Sequence, residues 1–157
     1  MKLALLFPGI GYHCDKPLLY YAKKLAAKYS YTVREISYGC LPKNVKGNPA
    51  KMAECYRLGL ARAEEQLADV DWDDCNDVLL IGKSIGTAIA AAFAWKHIPQ
   101  ARSIWYTPLA ETFPLIHGEG IVFHGTRDPW AETAAVLQGC KGKGIPCYLT
   151  EDANHSL

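Results

Sequence analysis

Short segments that are apolar throughout alternate with helical patterns along nearly the whole chain, and this alternation strongly limits the possible folds. Strands that are apolar on both faces occur where helices cover both sides of a sheet, so the pattern predicts a parallel α/β sheet with right-handed crossovers. The predicted strands are Lys2–Phe7, Tyr31–Tyr38, Asp77–Ile81, Arg102–Tyr106, Ile121–His124 and Ile145–Thr150. The predicted helices are Leu18–Lys28, Pro49 to about Val70, Ile85–His97 and Trp130–Cys140.

Length and charge narrow the class of protein. The 157 residues predict one domain spanning 1–157. The chain has 17 Lys and Arg against 16 Asp and Glu, which gives no electrostatic case for binding nucleic acid or an anionic membrane. No apolar run is long enough to span a bilayer, and the apolar first segment ends at Pro8-Gly9 without the cleavage site of a signal peptide. Six scattered cysteines without a C-x-x-C pair favour reduced thiols and a cytoplasmic location.

The motif that carries chemistry is the G-x-S-x-G segment Gly82–Gly86. It follows a predicted strand and opens a predicted helix, the context in which such a serine sits in a sharp turn with its hydroxyl exposed at the end of a sheet. The glycines leave room for this strained turn. The backbone N–H of Ile85 then lies at a helix N-terminus, where an oxyanion would form during acyl transfer.

A serine hydroxyl needs a base to become a nucleophile, and the base needs a carboxylate to orient it. After a nucleophile turn of this kind the chain order is serine, acid, histidine. Asp128 follows one predicted strand and His155 follows the next, so both lie in loops at the carboxyl ends of strands. Ligand sites in open α/β sheets form at those ends. The order and placement predict a triad of Ser84, Asp128 and His155.

Other residues compete for these roles. Asp152 could orient the base, although its position just before His155 is typical of a turn. The base could instead be one of the other histidines: His124, His117, His97 or His13. As the last residue of a strand, His124 is better interpreted as a buried histidine that supports the loop to Asp128, and His97 is expected at the C-terminal end of a helix. A metal site or a Cys–His pair formed by His13, Cys14 and Asp15 is disfavoured, since the spacing fits no zinc pattern and Asp15 is expected to cap a helix. A phosphate-binding loop ending at Lys83-Ser84 would need a glycine where Asp77 stands.

The chain resembles the α/β-hydrolase superfamily, in a minimal lid-less form like the small dienelactone-hydrolase-type and esterase-type members. The resemblance covers nearly the whole chain and is carried by Leu6-Phe7-Pro8-Gly9, Gly82–Gly86, His124-Gly125-Thr126-Arg127-Asp128 and Asn154-His155. It implies a three-layer α/β/α sandwich whose six-stranded, mostly parallel sheet has the order 2-1-3-4-5-6.

The same resemblance implies roles for individual residues. Ser84 is the nucleophile, His155 the base and Asp128 its orienter. The second oxyanion donor, besides Ile85, is the backbone N–H of Gly9 or of Ile10. Residues after the oxyanion loop, beside the serine and after the fourth strand are expected to line the substrate pocket: Tyr12, His13, Lys83, Pro108 and Leu109.

The family's two leading antiparallel strands have no counterpart here, because the predicted sheet begins at Lys2–Phe7, the strand before the oxyanion loop. The other end of the chain departs from the family pattern as well. The family adds a closing helix after its histidine, and no such helix follows His155 here. We therefore expect one sheet face to be covered only by the first helix, which makes a homodimer through that face possible. The segment between Thr107 and Gly120 is too short for a lid, which predicts an open site for small or exposed acyl groups.

Together these features predict a serine hydrolase that cleaves a carboxylic ester or thioester, a small-molecule substrate, without a metal or organic cofactor. Two alternatives stay open. The same triad could transfer the acyl group to an acceptor other than water. The fold could also serve as a non-catalytic protein-interaction module, because one fold supports many functions.

Overall fold

The computed structural model describes residues 1–157 as six strands, four helices and two short 3-10 segments. The 3-10 segments are Trp72–Asp74 and Ala110–Leu115. The helices are α1 (Pro17–Lys28), α2 (Pro49–Gln66), α3 (Ile85–His97) and α4 (Thr133–Lys143). The strands are β1 (Lys2–Phe7), β2 (Thr32–Glu35), β3 (Asp77–Lys83), β4 (Arg102–Tyr106), β5 (Gly120–Gly125) and β6 (Cys147–Thr150).

All five strand pairings are parallel, and the order is β2-β1-β3-β4-β5-β6. This confirms the predicted topology. Because every strand runs the same way, the loops that follow β1, β3, β4, β5 and β6 all leave the sheet at one edge. The register places Lys83 beside Tyr106 on the next strand, and Phe7 beside Gly82. The candidate residues of the sequence analysis therefore gather at this edge.

The two faces of the sheet are covered unequally. The main apolar core lies between the sheet and the helices α2, α3 and α4, and it contains Phe7, Leu80 and Trp105. On the other face α1 packs over β1, β2 and β3 with a much smaller cluster of buried side chains. Beyond α1, this face carries three stacked aromatic rings from neighbouring strands, with centroids 5.3 Å apart: Tyr106, Phe123 and Tyr148. No helix is both long enough and apolar enough to cross a membrane.

Several local predictions differ from the structure, each for a visible reason. Asp15 does not cap α1; its carboxylate pairs with Lys23 at 2.7 Å, and the hydroxyl of Tyr12 accepts the N–H of Leu18 instead. The helix α4 begins at Thr133 rather than at Trp130, because the Trp130 N–H donates to the Asp128 carboxylate in a turn. At its other end α4 is closed by a glycine in the left-handed conformation at 144, not at 142.

Candidate active site

The turn between β3 and α3 holds Ser84 in a backbone conformation that non-glycine residues rarely adopt, with φ 56° and ψ −125°. The flanking glycines are required by close packing. A Cβ on Gly82 would lie 2.8 Å from the Cα of Thr87, and one on Gly86 would overlap the carbonyl oxygen of Phe7. The turn thus packs closely against the end of β1 and the first turn of α3, as the G-x-S-x-G pattern predicts.

Three side chains from separate loops form a continuous hydrogen-bonded chain at this turn. His155 Nε2 lies 2.7 Å from the hydroxyl oxygen of Ser84, and its Nδ1 lies 2.7 Å from a carboxylate oxygen of Asp128. The second oxygen of Asp128 accepts the backbone N–H of Trp130 at 2.8 Å. In the neutral tautomer with its proton on Nδ1, His155 donates to the carboxylate and presents Nε2 to the serine. This arrangement can withdraw a proton from Ser84.

The carboxylate of Asp128 is fully buried, yet it is held ionised. Burial raises its pKa, but the hydrogen bond from His155, the N–H of Trp130 and the charges of two nearby histidines outweigh burial and hold the pKa below its ordinary value. The second histidine is His124, whose Nδ1 lies 4.0 Å from the carboxylate. Burial lowers the pKa of His124, and its Nε2 bonds the hydroxyl of Thr133 at 3.0 Å. His124 makes no hydrogen bond to Ser84 and supports the loop to Asp128, as interpreted from the sequence.

The other competitors lie apart from the serine. Asp152 is exposed, has a left-handed backbone with φ 57°, and pairs with Arg127 at 2.8 Å, so it is the turn residue that its position indicates. His13 is exposed, and its Nδ1 accepts the N–H of Asp15. His117 stacks on Trp95 at the surface. No three His, Cys, Asp or Glu side chains come together in a way that could hold a metal ion.

Two backbone N–H groups near Ser84 are free to bind an oxyanion. Ile85 is the first residue of α3, so its N–H has no partner within the helix. Of the two candidates after β1, the N–H of Gly9 donates to the carbonyl of Tyr12 at 3.1 Å, whereas the N–H of Ile10 has no hydrogen-bond partner. A Cβ on Gly9 would lie 3.3 Å from the Cβ of Ser84, which places this loop directly beside the serine. The geometry thus favours Ile10 over Gly9.

The predicted pocket residues divide among three environments. Tyr12 and His13 line a cleft of about 690 Å³ between the loops 8–15 and 35–44. Leu109 lines a separate cavity of about 310 Å³ together with Ile85, between the start of α2 and the 3-10 segment after β4. Pro108 is buried and lines neither of these spaces.

Lys83 is not a pocket residue, which corrects the sequence prediction. Its side chain is buried and turns beneath the site, where Nζ donates to the hydroxyl of Thr107 and to the backbone carbonyl of His155, each at 2.6 Å. Burial lowers the pKa of this ammonium group to about 8, against the opposing charge of Asp128. The alternation of side chains along β3 could have revealed this, because Lys83 shares the α1 face with Ile81.

Comparison with known proteins gives a consistent result at the level of the fold. No protein-family model and no curated protein sequence matches the chain. Among solved structures, a protein assigned to the α/β-hydrolase superfamily from Xanthomonas campestris pv. campestris superposes with a TM-score of 0.78 at 19% identity, over 99% of this chain and 88% of that one. Est1E from Butyrivibrio proteoclasticus superposes with a TM-score of 0.71 at 9% identity, over 99% and 80% of the two chains.

A third solved structure shows the same similarity of fold. The esterase Pf2001 from Pyrococcus furiosus superposes with a TM-score of 0.68 at 13% identity, over 98% of this chain and 74% of that one. At such low identity these likenesses concern the path of the backbone, and they agree with the sheet order described above. The chain has the α/β-hydrolase fold.

Proposed function

We propose that this protein is a serine hydrolase that cleaves a small or exposed carboxylic ester or thioester through an acyl-enzyme. The observation that carries the proposal is the unbroken chain of 2.7 Å contacts from Ser84 through His155 to Asp128. The hydrolases and esterases among the structural neighbours support the same class of reaction. Est1E has also been solved with ferulic acid, an aromatic carboxylic acid, bound to it.

The proposed reaction has two halves. Ser84 Oγ attacks the acyl carbon while Nε2 of His155 takes the hydroxyl proton, and the carbonyl oxygen becomes an oxyanion held by the N–H groups of Ile85 and Ile10. The bond to the leaving oxygen or sulfur then breaks, and the leaving group takes the proton from Nε2. Water attacks the acyl-enzyme and gives its proton to Nε2. When the second tetrahedral intermediate collapses, Ser84 recovers that proton and the carboxylic acid leaves.

The surroundings of the serine favour a short, uncharged acyl group. The connection from β4 to β5 is only residues 107–119, which is too short to form a lid over the serine. The cavity of about 310 Å³ is lined mainly by apolar side chains, one of which is Ile85, the residue next to the nucleophile. Glu111 at its border disfavours an anionic acyl group. We infer that this cavity receives the acyl chain, and that the larger cleft near Tyr12 is left for the alcohol or thiol portion.

The decisive experiment is covalent labelling with a fluorophosphonate, followed by peptide mapping. This reagent reacts with a serine that a base and an oxyanion hole activate. We expect one adduct, on Ser84, lost in Ser84→Ala and in His155→Ala and retained in the control Ser30→Gly, which alters an exposed serine with a left-handed backbone that lines neither cavity. Hydrolysis of p-nitrophenyl acetate should follow the same pattern. Absence of labelling in folded protein, or wild-type turnover by Ser84→Ala, would contradict the proposal.

The acyl cavity has its own test. Ala53 is exposed on α2 and lines the cavity, so Ala53→Trp fills the cavity without disturbing the core. We expect kcat/KM for p-nitrophenyl hexanoate to fall roughly tenfold while that for the acetate changes less than about twofold, since a few methylenes lose their apolar contacts. Ala50→Trp, one turn earlier and outside the lining, serves as the control. Equal losses for both esters would place the acyl group elsewhere.

A further inference from the structure

We propose that Lys83 is a positioning residue, which holds the base His155 in line with Ser84 by anchoring the backbone of the C-terminal loop. This inference rests on the proposed serine-hydrolase function and assigns a role that the triad itself does not require. The environment of Lys83 is unusual for a lysine. Lys83 is 1% exposed and forms no ion pair with a carboxylate, although a buried ammonium group is costly without strong partners.

The loop that carries His155 has few connections to the rest of the protein. Up to residue 153 it is held by backbone hydrogen bonds, such as that from the Arg127 N–H to the carbonyl of Ala153 at 2.9 Å. After residue 153, the N–H groups of Ser156 and Leu157 bond only to Asn154 within the loop. Apart from the imidazole contacts of the triad, the only hydrogen bond from outside to residues 154–157 is the one from Lys83 Nζ to the carbonyl of His155.

Lys83 is well suited to this role because its own backbone is held in the sheet, paired with Tyr106 of β4. It is the last residue of β3 and directly precedes Ser84, so its main chain belongs to the serine turn. Its Nζ also donates to Thr107, which is fully buried after β4 and has its own N–H bonded to the carbonyl of Phe123. One side chain thus joins the ends of β3 and β4 to the loop after β6. It places the imidazole relative to the nucleophile through atoms that never touch the substrate.

The contacts do not depend on the charge of the amine. A neutral lysine amine retains two N–H donors, and the structure offers it two oxygen acceptors, Thr107 Oγ1 and the His155 carbonyl. The ring of Tyr12 packs on another side, with its centroid 4.8 Å from Nζ. Hydrogen bonding, rather than charge alone, is therefore the property to remove in a test.

The test compares Lys83→Met with the matched control Lys16→Met. Methionine keeps the length and apolar stem of the side chain but cannot donate hydrogen bonds. The Nζ of Lys16 lies 5.5 Å from the centroid of the same Tyr12 ring, so Lys16 carries a charge in the same neighbourhood, yet it makes no hydrogen bond to His155. We expect Lys83→Met to lower both kcat and the labelling rate of Ser84 by roughly 10- to 100-fold, as for misplacement of a catalytic group by about 1 Å. KM should stay within about twofold, and Lys16→Met should retain wild-type kcat.

A spectroscopic measurement distinguishes positioning from general support of the fold. The Nδ1–H proton of His155, hydrogen-bonded to Asp128, should give a downfield proton NMR resonance in wild type and in Lys16→Met, and this resonance should broaden or vanish in Lys83→Met. If Lys83→Met does not fold, Thr107→Val removes the other acceptor and should cause a smaller loss of kcat with the same change in the resonance. Wild-type kcat and an unchanged resonance in a folded Lys83→Met would overturn the inference. Absence of Ser84 labelling in wild type would instead refute the proposed function.

Discussion

The serine turn Gly82–Gly86 and the C-terminal loop after β6 bring the side chains of Ser84 and His155 together, but they are held in different ways. The turn is fixed by main-chain packing: its glycines touch neighbouring backbone, and the Ser84 N–H donates to the carbonyl of Tyr106 at 3.0 Å. The loop that carries His155 ends in residues whose hydrogen-bond partners outside the loop are the side chains of Lys83, Asp128 and Ser84.

Because the two segments are held differently, substitutions in them should have different effects on the fold and on activity. A steric change in the serine turn affects the whole fold, because the backbone there has no room to move. A polar change around the C-terminal loop can remove activity while the fold survives, because the loop contributes little to the apolar core. The following predictions test this distinction, beginning with the largest expected effect.

Gly86→Ala should cause the largest loss, because its Cβ would overlap the carbonyl oxygens of Phe7 and Pro8. We expect a loss of about 3 kcal/mol or more in the free energy of unfolding, at the upper end of typical overpacking costs, together with loss of Ser84 labelling. Urea unfolding followed by circular dichroism measures the loss. Gly142→Ala is the matched control, since nothing lies within 4 Å of its Cβ position in α4, and it should stabilise by up to about 1 kcal/mol. If the two variants were equally stable, steric overlap at Gly86 would not explain why the turn requires glycine.

Asp128→Asn should leave the fold largely intact while kcat falls by about 10⁴, because an amide cannot both accept the Nδ1 proton of His155 and stabilise the imidazolium. Steady-state hydrolysis of p-nitrophenyl acetate measures this. Asp152→Asn, an exposed change in the adjacent turn, should keep kcat within about twofold. If the two variants lost activity equally, the orienting carboxylate would be misassigned.

Acid should destabilise the arrangement around Asp128. Because the folded-state pKa of this carboxyl is lowered, its contribution to stability is complete above the unfolded pKa of about 3.9 and is lost as pH falls through the lower folded value. The difference in unfolding free energy between wild type and Asp128→Asn should therefore shrink as pH is lowered from 7 towards 3. Denaturant unfolding at several pH values measures it. A difference that stays constant with pH would mean that Asp128 has an ordinary pKa.

The smallest effect is expected for Arg127→Ala. Arg127 and Asp152 form an ion pair between two loops near the site, but both side chains are about 70% exposed. Such pairs contribute about 0–1 kcal/mol, so we expect a shift within that range and kcat within about twofold of wild type. Thermal unfolding and ester hydrolysis measure it. A loss as large as that expected for Lys83→Met would show that exposed contacts also hold the C-terminal loop.

Patterns that repeat over several residues could be predicted from the sequence. The bounds of β1, β4 and α3 agree with the structure, because an apolar run closed by Pro8-Gly9 and an Ala-rich helix before Pro99 are strong local signals. The sheet order followed from the resemblance. The meeting of Ser84, Asp128 and His155 followed from the rule that loops after parallel strands share one edge.

Features set by a single long-range contact could not be predicted in this way. The capping of α1 by the Tyr12 hydroxyl depends on how the loop after β1 folds back, which no short pattern encodes. The preference for Ile10 over Gly9 depends on one hydrogen bond between Gly9 and Tyr12. The delayed start of α4 depends on which oxygen of Asp128 is left free by His155.

The backbone of Ser84 also bears on the thermal robustness of the protein. A non-glycine residue held at φ 56° and ψ −125° stores roughly 1–3 kcal/mol of conformational strain, which lowers the melting temperature of the active chain. Glycine adopts such a conformation more readily, so Ser84→Gly should give an inert protein that melts at a higher temperature than the wild type. Under the proposed mechanism, reactivity and heat resistance are opposed at this one residue, and selection for stability alone would favour the loss of Ser84.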